Sequence, residues 1–229
     1  MLSQAVEDYL KTIYKLQNGE STTAKVTTSL IAERMEVAPA SATSMIKKLA
    51  QMRLLRHTPY RGVELTPAGE NIALEVIRHH RLLELYLSEA LGYPWDQVDA
   101  EADRLEHAIS EEFEDRIDQA LGYPRIGAHG EPIPTKQGDI DTSPYQCLAQ
   151  LPVGRAAVIR RVSDRNPEML RYMESMGLKL GTSIEIREKE PFKGPLLVKI
   201  DRDRTHSLSL EVADHIFVEA DIQNTPPAD

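Results

Sequence analysis

The hydrophobic period of the chain changes once, and that change limits what it can fold into. Up to residue 124 apolar residues recur at helical spacing; from about Ala156 they fall in short extended runs bounded by turn residues. Between them lies 125–146, broken by Gly127, Gly130, Pro132, Pro134, Gly138 and Pro144, which reads as a linker. A chain written this way is mainly α with a small β domain. Its 229 residues suffice for two modest domains or one large one.

The spacing predicts a helix over 3–17, with Val6, Tyr9, Leu10, Ile13, Tyr14 and Leu16 on one face and Asn18-Gly19 as its stop. Thr27 or Thr28 can cap a second helix through Met35. Val37-Ala38-Pro39 breaks the chain. A third helix from about Ala40 to Arg53 is expected to bury Ala42, Met45, Ile46, Leu49 and Met52. Two short extended runs around the turn Thr58-Pro59-Tyr60-Arg61-Gly62 read as a hairpin. Helix, helix, tight turn, helix, hairpin is the order of a winged helix-turn-helix. Thr66-Pro67 opens a long helix to about Leu91. Helices from about Trp95 to Ser110 and from Glu111 to Leu121 follow. After the linker, strands are expected at 156–162, 183–187, 196–200 and 215–219, with a helix near 167–176, making a small barrel-like domain.

Apolar residues make up 41% and charged residues 28%, enough to fold and to exclude wholesale disorder. No window approaches the roughly 18 apolar residues of a membrane span, and the N-terminus has no signal-peptide pattern. Cys147 is the single cysteine, which excludes an internal disulfide and a multi-cysteine zinc site. The expected location is cytoplasmic. The net charge of −9 is unevenly spread. Residues 1–66 hold nine Lys or Arg against six acids, a balance of +3 that leaves −12 for the remainder. A mildly basic head sits on an acidic body.

Asp99, Asp103, Glu106 and His107 stand at i, i+4, i+7 and i+8, on one face of the expected helix. Carboxylates crowded this way repel unless a cation neutralises them. Carboxylates with an imidazole and no thiolate suit Mn²⁺, Fe²⁺, Co²⁺ or Zn²⁺. The preceding helix offers His79, His80 and Glu84. A solvated acidic face is the alternative, and spacing alone does not decide between them. On the third helix Ser41, Thr43, Ser44, Lys47 and Lys48 offer hydroxyls and cations to bases and phosphates. Arg56, Tyr60 and Arg61 would serve from the wing. An ordinary polar helical surface is the plain alternative here.

Taken together and in this order, the two patterns resemble the family of metal-dependent repressors that includes the diphtheria toxin repressor and the manganese transport regulators. The resemblance rests on Val6 to Tyr14, Pro39 through Leu49, Tyr60-Arg61-Gly62 with Leu65-Thr66-Pro67-Ala68-Gly69, His80 to Glu84, Asp103…Glu106-His107, and Gly130-Glu131-Pro132-Ile133-Pro134. It implies a winged helix-turn-helix DNA-binding domain over 1–66, a helical metal-binding and dimerisation domain over 67–124, and the linker 125–146. An SH3-like β-barrel over 147–222 and a disordered tail over 223–229 would complete the chain. It also implies a primary metal site of Asp8, Asp103, Glu106 and His107, and a second of His80, Glu84, Asp99 and, weakly, Glu168. Asp164 and Asn166 lie in the same C-terminal region.

Sulfur-bearing residues occupy the positions of Asp8 and Asp103 in the iron-responsive branch. Two carboxylates there favour Mn²⁺ first and Fe²⁺ second, with other divalent first-row metals able to bind in vitro. Where one subgroup has a glutamate that lets two ions lie close together, this chain has Lys11, so separated sites are expected. His79 is expected to pack and Cys147 to be inert. The implied function is repression of metal-uptake genes, with the ion as co-repressor joining the DNA-binding head to the acidic helices. A homodimer joined through Leu82, Leu83, Leu85, Leu87, Ile109 and Phe113 would meet a roughly palindromic double-stranded operator, without membrane or organic cofactor. Two rivals stand beside it: a winged-helix regulator sensing an organic ligand, and a metal-dependent hydrolase. An activator, or a regulator of metal efflux, in the same family is a third reading.

Overall fold

The structure, a computed structural model, describes residues 2–18, 25–58, 62–141, 145–163, 166–201 and 204–220. The chain divides into two compact units. The first comprises Met1–Leu83, Ala102–Tyr123 and Ile133–Ile140; the second comprises Glu84–Glu101, Pro124–Pro132 and Asp141–Asp229. Tyr60, Arg61, Asp164 and the tail 223–229 lie outside the described residues.

The first unit opens with α1 (Gln4–Gln17), α2 (Thr28–Arg34), α3 (Pro39–Gln51) and the hairpin β1 (Leu55–Thr58) with β2 (Gly62–Leu65). Thr27 caps α2 by accepting the Leu30 amide at 3.2 Å. The chain reverses after α2 at Glu36, whose φ is +53°. Ala38, before the proline, is extended at ψ 140° as expected, and Pro39 is itself the first residue of α3, a position where its missing N–H costs nothing. Val6, Leu10 and Ile13 of α1 pack with Ile31, Ala42, Ile46, Leu49 and Val63 in one core. Burying each of the larger side chains contributes about 1.5–3 kcal/mol. Met45 is only partly buried, and Met52, expected inside, is exposed because α3 ends one residue before it.

Three further helices follow: α4 (Pro67–Glu89), α5 (Val98–Leu105) and α6 (Glu111–Ala120). α5 is shorter than its sequence spacing suggests, so Glu106 and His107 sit on the turn after it rather than on the helix. Leu82, Leu83, Leu85 and Leu87, expected to face a second copy, are already buried within the chain itself. Ile109 is half-buried and Phe113 exposed. Gly69, in the first turn of α4, lies against the Leu54 carbonyl, where a Cβ would stand 2.0 Å from the oxygen. Gly69→Ala should therefore destabilise the protein by about 1–3 kcal/mol, the usual cost of overpacking, read as a lowered midpoint in urea.

The second unit carries β3 (Gln146–Cys147), a 3-10 turn (Leu148–Gln150), β4 (Ala156–Val162), α7 (Pro167–Met176), β5 (Ser183–Lys189), β6 (Leu196–Ile200), β7 (Arg204–Leu208), α8 (Leu210–Ala213) and β8 (Ile216–Ala220). The strands form one antiparallel sheet in the order β3-β8-β4-β5-β6-β7. Asn166 caps α7 by accepting the Glu168 and Met169 amides, and Gly177 ends it at φ +77°. Leu170 and Met173 of α7 join Ile159, Ile184, Val198, Ile216 and Val218 in the core. Cys147 is half-buried on β3, and burial pushes its thiol up, so it is not poised to react. The stretch 125–141 is built of tight turns: Ile126 bridges Pro132, the Gly127 amide donates to Glu131, and the Thr135 amide donates to Asp139.

Candidate metal centre

α1 and the turn after α5 meet within the first unit. On α1, Glu7 and Asp8 are consecutive; on the turn, so are Glu106 and His107. The His107 Nδ1–H donates to Glu7 Oε2 at 2.6 Å. The other ring nitrogen, Nε2, lies 2.8 Å from Asp8 Oδ1 and 3.3 Å from Glu106 Oε1. That nitrogen is buried and makes no hydrogen bond. One ligand atom each from Asp8, Glu106 and His107 thus falls within 4.8 Å of the others. Burial pushes the Asp8 carboxyl up, and neighbouring Glu106 adds to this, against the opposing pull of His107. Three ligand atoms converge where a divalent cation would relieve their repulsion, and the O,O,N donor set fits a hard or borderline divalent ion.

A second cluster adjoins the first and is already neutralised by the chain. Lys11, on α1 and buried, places Nζ 2.7 Å from Asp103 Oδ1, 3.0 and 2.8 Å from the two Glu106 oxygens and 3.1 Å from His80 Nδ1. His80 Nδ1 also lies 2.6 Å from Glu106 Oε2. Burial would lower the Lys11 ammonium, but Glu106 and Asp103 outweigh it and raise its pKa. Burial would likewise raise Glu106, yet His80 and Lys11 hold its carboxyl below the usual range. Asp103, grouped by the resemblance with the primary ligands, is drawn to this ammonium and is more than half exposed.

Of the second predicted set, His80 and Glu84 stand one turn apart on α4, and Glu84 and Asp99 bring carboxylate oxygens within 4.8 Å. Glu84 faces His129, whose Nδ1 lies 3.4 Å away and whose Nε2–H donates to the Trp95 carbonyl at 2.8 Å. Burial would lower the His129 imidazole, but Glu84, helped by Glu131, pushes it up to about 9. Glu168 is exposed on the first turn of α7, and among the described residues it joins no cluster of ligating side chains.

Residues with no spacing signal complete the centre: Glu7, and His79 one residue before His80. His79 Nδ1–H donates to the Glu106 carbonyl at 3.1 Å, capping the end of α5, and Nε2–H donates to Glu114 at 3.3 Å. Arg78 donates to Glu114, Asp118 and the Pro134 carbonyl. Burial would raise the Glu114 carboxyl, but His79 and Arg78 hold it down to about 2, against a usual 4.5. A carboxyl depressed on folding contributes stability in full above its unfolded value and loses it as pH falls through the folded one. Stability should therefore drop between about pH 4.5 and about pH 2, and in Glu114→Gln that acid limb should flatten in urea titrations at stepped pH. Ser41, Ser44, Lys47 and Lys48 are exposed on α3. Thr43 is half-buried, its hydroxyl donating to the Pro39 carbonyl at 2.8 Å.

Comparison with known proteins matches three domains along the chain. Residues 1–63 match the iron dependent repressor N-terminal DNA binding domain, 66–135 its metal binding and dimerisation domain, and 146–220 the FeoA domain. The iron-dependent repressor IdeR of Mycobacterium tuberculosis is 33% identical over 172 residues, covering 71% of this chain and 74% of that protein. IdeR of Mycobacterium leprae is 30% identical across 95% of this chain and 98% of its own length. A solved manganese-dependent transcriptional repressor in complex with manganese superposes with a TM-score of 0.87 at 39% identity, covering 94% of this chain and 99% of the other. No helix among the described residues is long and apolar enough to cross a membrane. The chain belongs to the diphtheria toxin repressor family of metal-dependent transcriptional repressors, proteins that bind DNA, dimerise and are not enzymes.

Proposed function

We propose that this chain is a manganese-responsive co-repressed regulator, with Fe²⁺ as the second-ranked ion, controlling metal-uptake genes from the cytoplasm. The observation that carries the reading is the convergence of Asp8, Glu106 and His107 on one buried, unpartnered imidazole nitrogen. These three, with Asp103 one turn before His107, form the proposed primary site. His80, Glu84 and Asp99, with Glu168 assigned only from the resemblance, form the proposed second site. An all-oxygen-and-nitrogen donor set without sulfur supports the harder ion. A bound divalent cation supplies positive charge to both sides of the junction between α1 and the turn after α5.

The chain's own residues do the rest. Asp8 and Glu7 belong to the first helix of the DNA-binding head, so ordering their carboxylates orders that helix against the turn. α3 then presents Ser41, Thr43, Ser44, Lys47 and Lys48, with Tyr60 and Arg61 assigned to the wing. In a homodimer two such helices would meet successive major grooves of a roughly palindromic operator. We assign the domains as 1–66, 67–124 and 147–222, with 125–146 as the connection and 223–229 as a tail.

Fluorescence anisotropy on DNA from upstream of its own gene and of metal-uptake genes tests this, run with EDTA, with Mn²⁺, and with Fe²⁺ under anaerobic conditions. Specific binding that needs metal, and is tighter with Mn²⁺, is the expected result. Specific binding indifferent to EDTA would replace this reading with an organic-ligand regulator. Lys47→Ala or Lys48→Ala should weaken binding to all sequences and reduce the slope of log K against log salt by about 1 each, with metal affinity unchanged.

A further inference from the structure

His107 is gripped at both ring nitrogens by two consecutive residues of one helix: Nδ1 by Glu7, Nε2 by Asp8. The Glu7 carboxylate is four-fifths buried and the imidazole nine-tenths, so neither ring nitrogen is served by bulk water. Nδ1 must carry a proton, because its partner at 2.6 Å is a carboxylate that only accepts. A neutral imidazole has one proton, and holding it at Nδ1 leaves a lone pair on Nε2, aimed at Asp8 and Glu106. Free imidazole side chains in water favour the opposite tautomer. With the proton on Nε2, the hydrogen would stand in the space between the ring, Asp8 2.8 Å away and Glu106 3.3 Å away, and would close that space to an ion.

We propose that Glu7 is the positioning residue of the metal centre: its carboxylate fixes His107 as the Nδ1–H tautomer and keeps Nε2 available to a divalent cation. This rests on the metal site proposed above but adds a distinct role. Glu7 touches no ion; it keeps a proton on Nε2 from filling the ion's place. It also explains why two adjacent residues of α1, one turn from the start of the head, are both acidic. A carboxylate behind a ligating histidine orients the ring and raises its basicity, and losing such a partner typically costs about 10–100-fold in metal affinity.

Four proteins separate this from its alternatives: wild type, Glu7→Leu, Glu7→Gln and His107→Ala. Leucine fills the volume with no acceptor; glutamine keeps an oxygen that accepts from Nδ1. Two readouts are used. Long-range ¹⁵N–¹H correlations of the His107 ring in the metal-free protein report the tautomer. Loss of the free aqueous Mn²⁺ signal in electron paramagnetic resonance titrations reports affinity.

The expected result is an Nδ1–H ring in wild type and Glu7→Gln, and a ring shifted toward Nε2–H in Glu7→Leu. Mn²⁺ affinity should fall about 10–100-fold in Glu7→Leu and only a few-fold in Glu7→Gln. Wild-type affinity and an unshifted tautomer in Glu7→Leu, with His107→Ala impaired, would overturn the role of Glu7 and leave the metal site standing. Equal losses in Glu7→Leu and Glu7→Gln with both rings still Nδ1–H would overturn it too, leaving Glu7 as a charge only. If His107→Ala takes up Mn²⁺ as wild type does, the ligand assignment itself falls.

Discussion

His107→Ala should abolish metal-dependent operator binding while leaving the metal-free protein close to wild-type stability. The imidazole supplies the one nitrogen of the Asp8–Glu106–His107 cluster and touches both Glu7 and Asp8 of α1. Removing it takes a ligand from the ion and the link from the helix in one change. The loss in Mn²⁺ affinity should exceed the roughly 10–100-fold typical of changes behind a ligand. The fold should stay intact because Asp8 is about one-third exposed and the space left by the ring opens Glu7 to water. Isothermal titration with Mn²⁺ and anisotropy on the operator, beside urea unfolding in EDTA, measure the two halves. Metal-dependent DNA binding that survives in this variant would overturn the junction as the sensing element.

Lys11→Met should have the opposite signature, a large stability loss in EDTA that added metal partly recovers. The ammonium is the cation around which Asp103, Glu106 and His80 are arranged, and Glu106 is almost wholly buried. Taking one partner from a buried ion pair leaves an uncompensated charge, at a cost of about 3–5 kcal/mol. Methionine keeps the stem's volume, so the loss reports charge rather than packing. Ligand bound only by the folded state stabilises by about 2.7 kcal/mol at 100 times its dissociation constant. Mn²⁺ should therefore raise the unfolding midpoint of Lys11→Met more than that of wild type. Lys11→Glu goes further by adding a carboxylate where the ammonium stood, and should bind one more Mn²⁺ per chain by elemental analysis. An unchanged midpoint in EDTA for Lys11→Met would show that the ammonium is not the cluster's counter-charge.

Much of the fold was legible from periodicity, and the reasons for the misses are local. α7 was readable to the residue, since Asn166-Pro167 opens it and Gly177 closes it. β7 was not, because Arg-Thr-His-Ser-Leu has no apolar alternation; pairing with β6 makes it a strand. The end of α5 was overrun because Asp99, Asp103, Glu106 and His107 continue a helical spacing past Leu105. His79, arriving from α4, caps the carbonyl of Glu106 at that end. The metal candidates reached the page through family resemblance, since spacing alone could not tell a ligand set from a solvated acidic face. Glu7 and the counter-ion role of Lys11 carried no local signal at all. Each acts across about a hundred positions, on His107 and on Glu106, where only folding creates the proximity.

The Oε1 atom of Glu106 belongs to two neighbourhoods at once, 3.3 Å from His107 Nε2 and 3.0 Å from Lys11 Nζ. A regulator with such a shared oxygen has its set point built into the chain. A dication bound at the proposed site would lie beside a resident ammonium that repels it, and by linkage the ion disfavours the ammonium by as much as the ammonium disfavours the ion. Each 1.4 kcal/mol of that competition raises the free-ion concentration at half response about tenfold. Under the proposed ligand assignment, the residue at position 11 would act as a dial on metal demand, moving the threshold of the response without altering a ligand or a base contact.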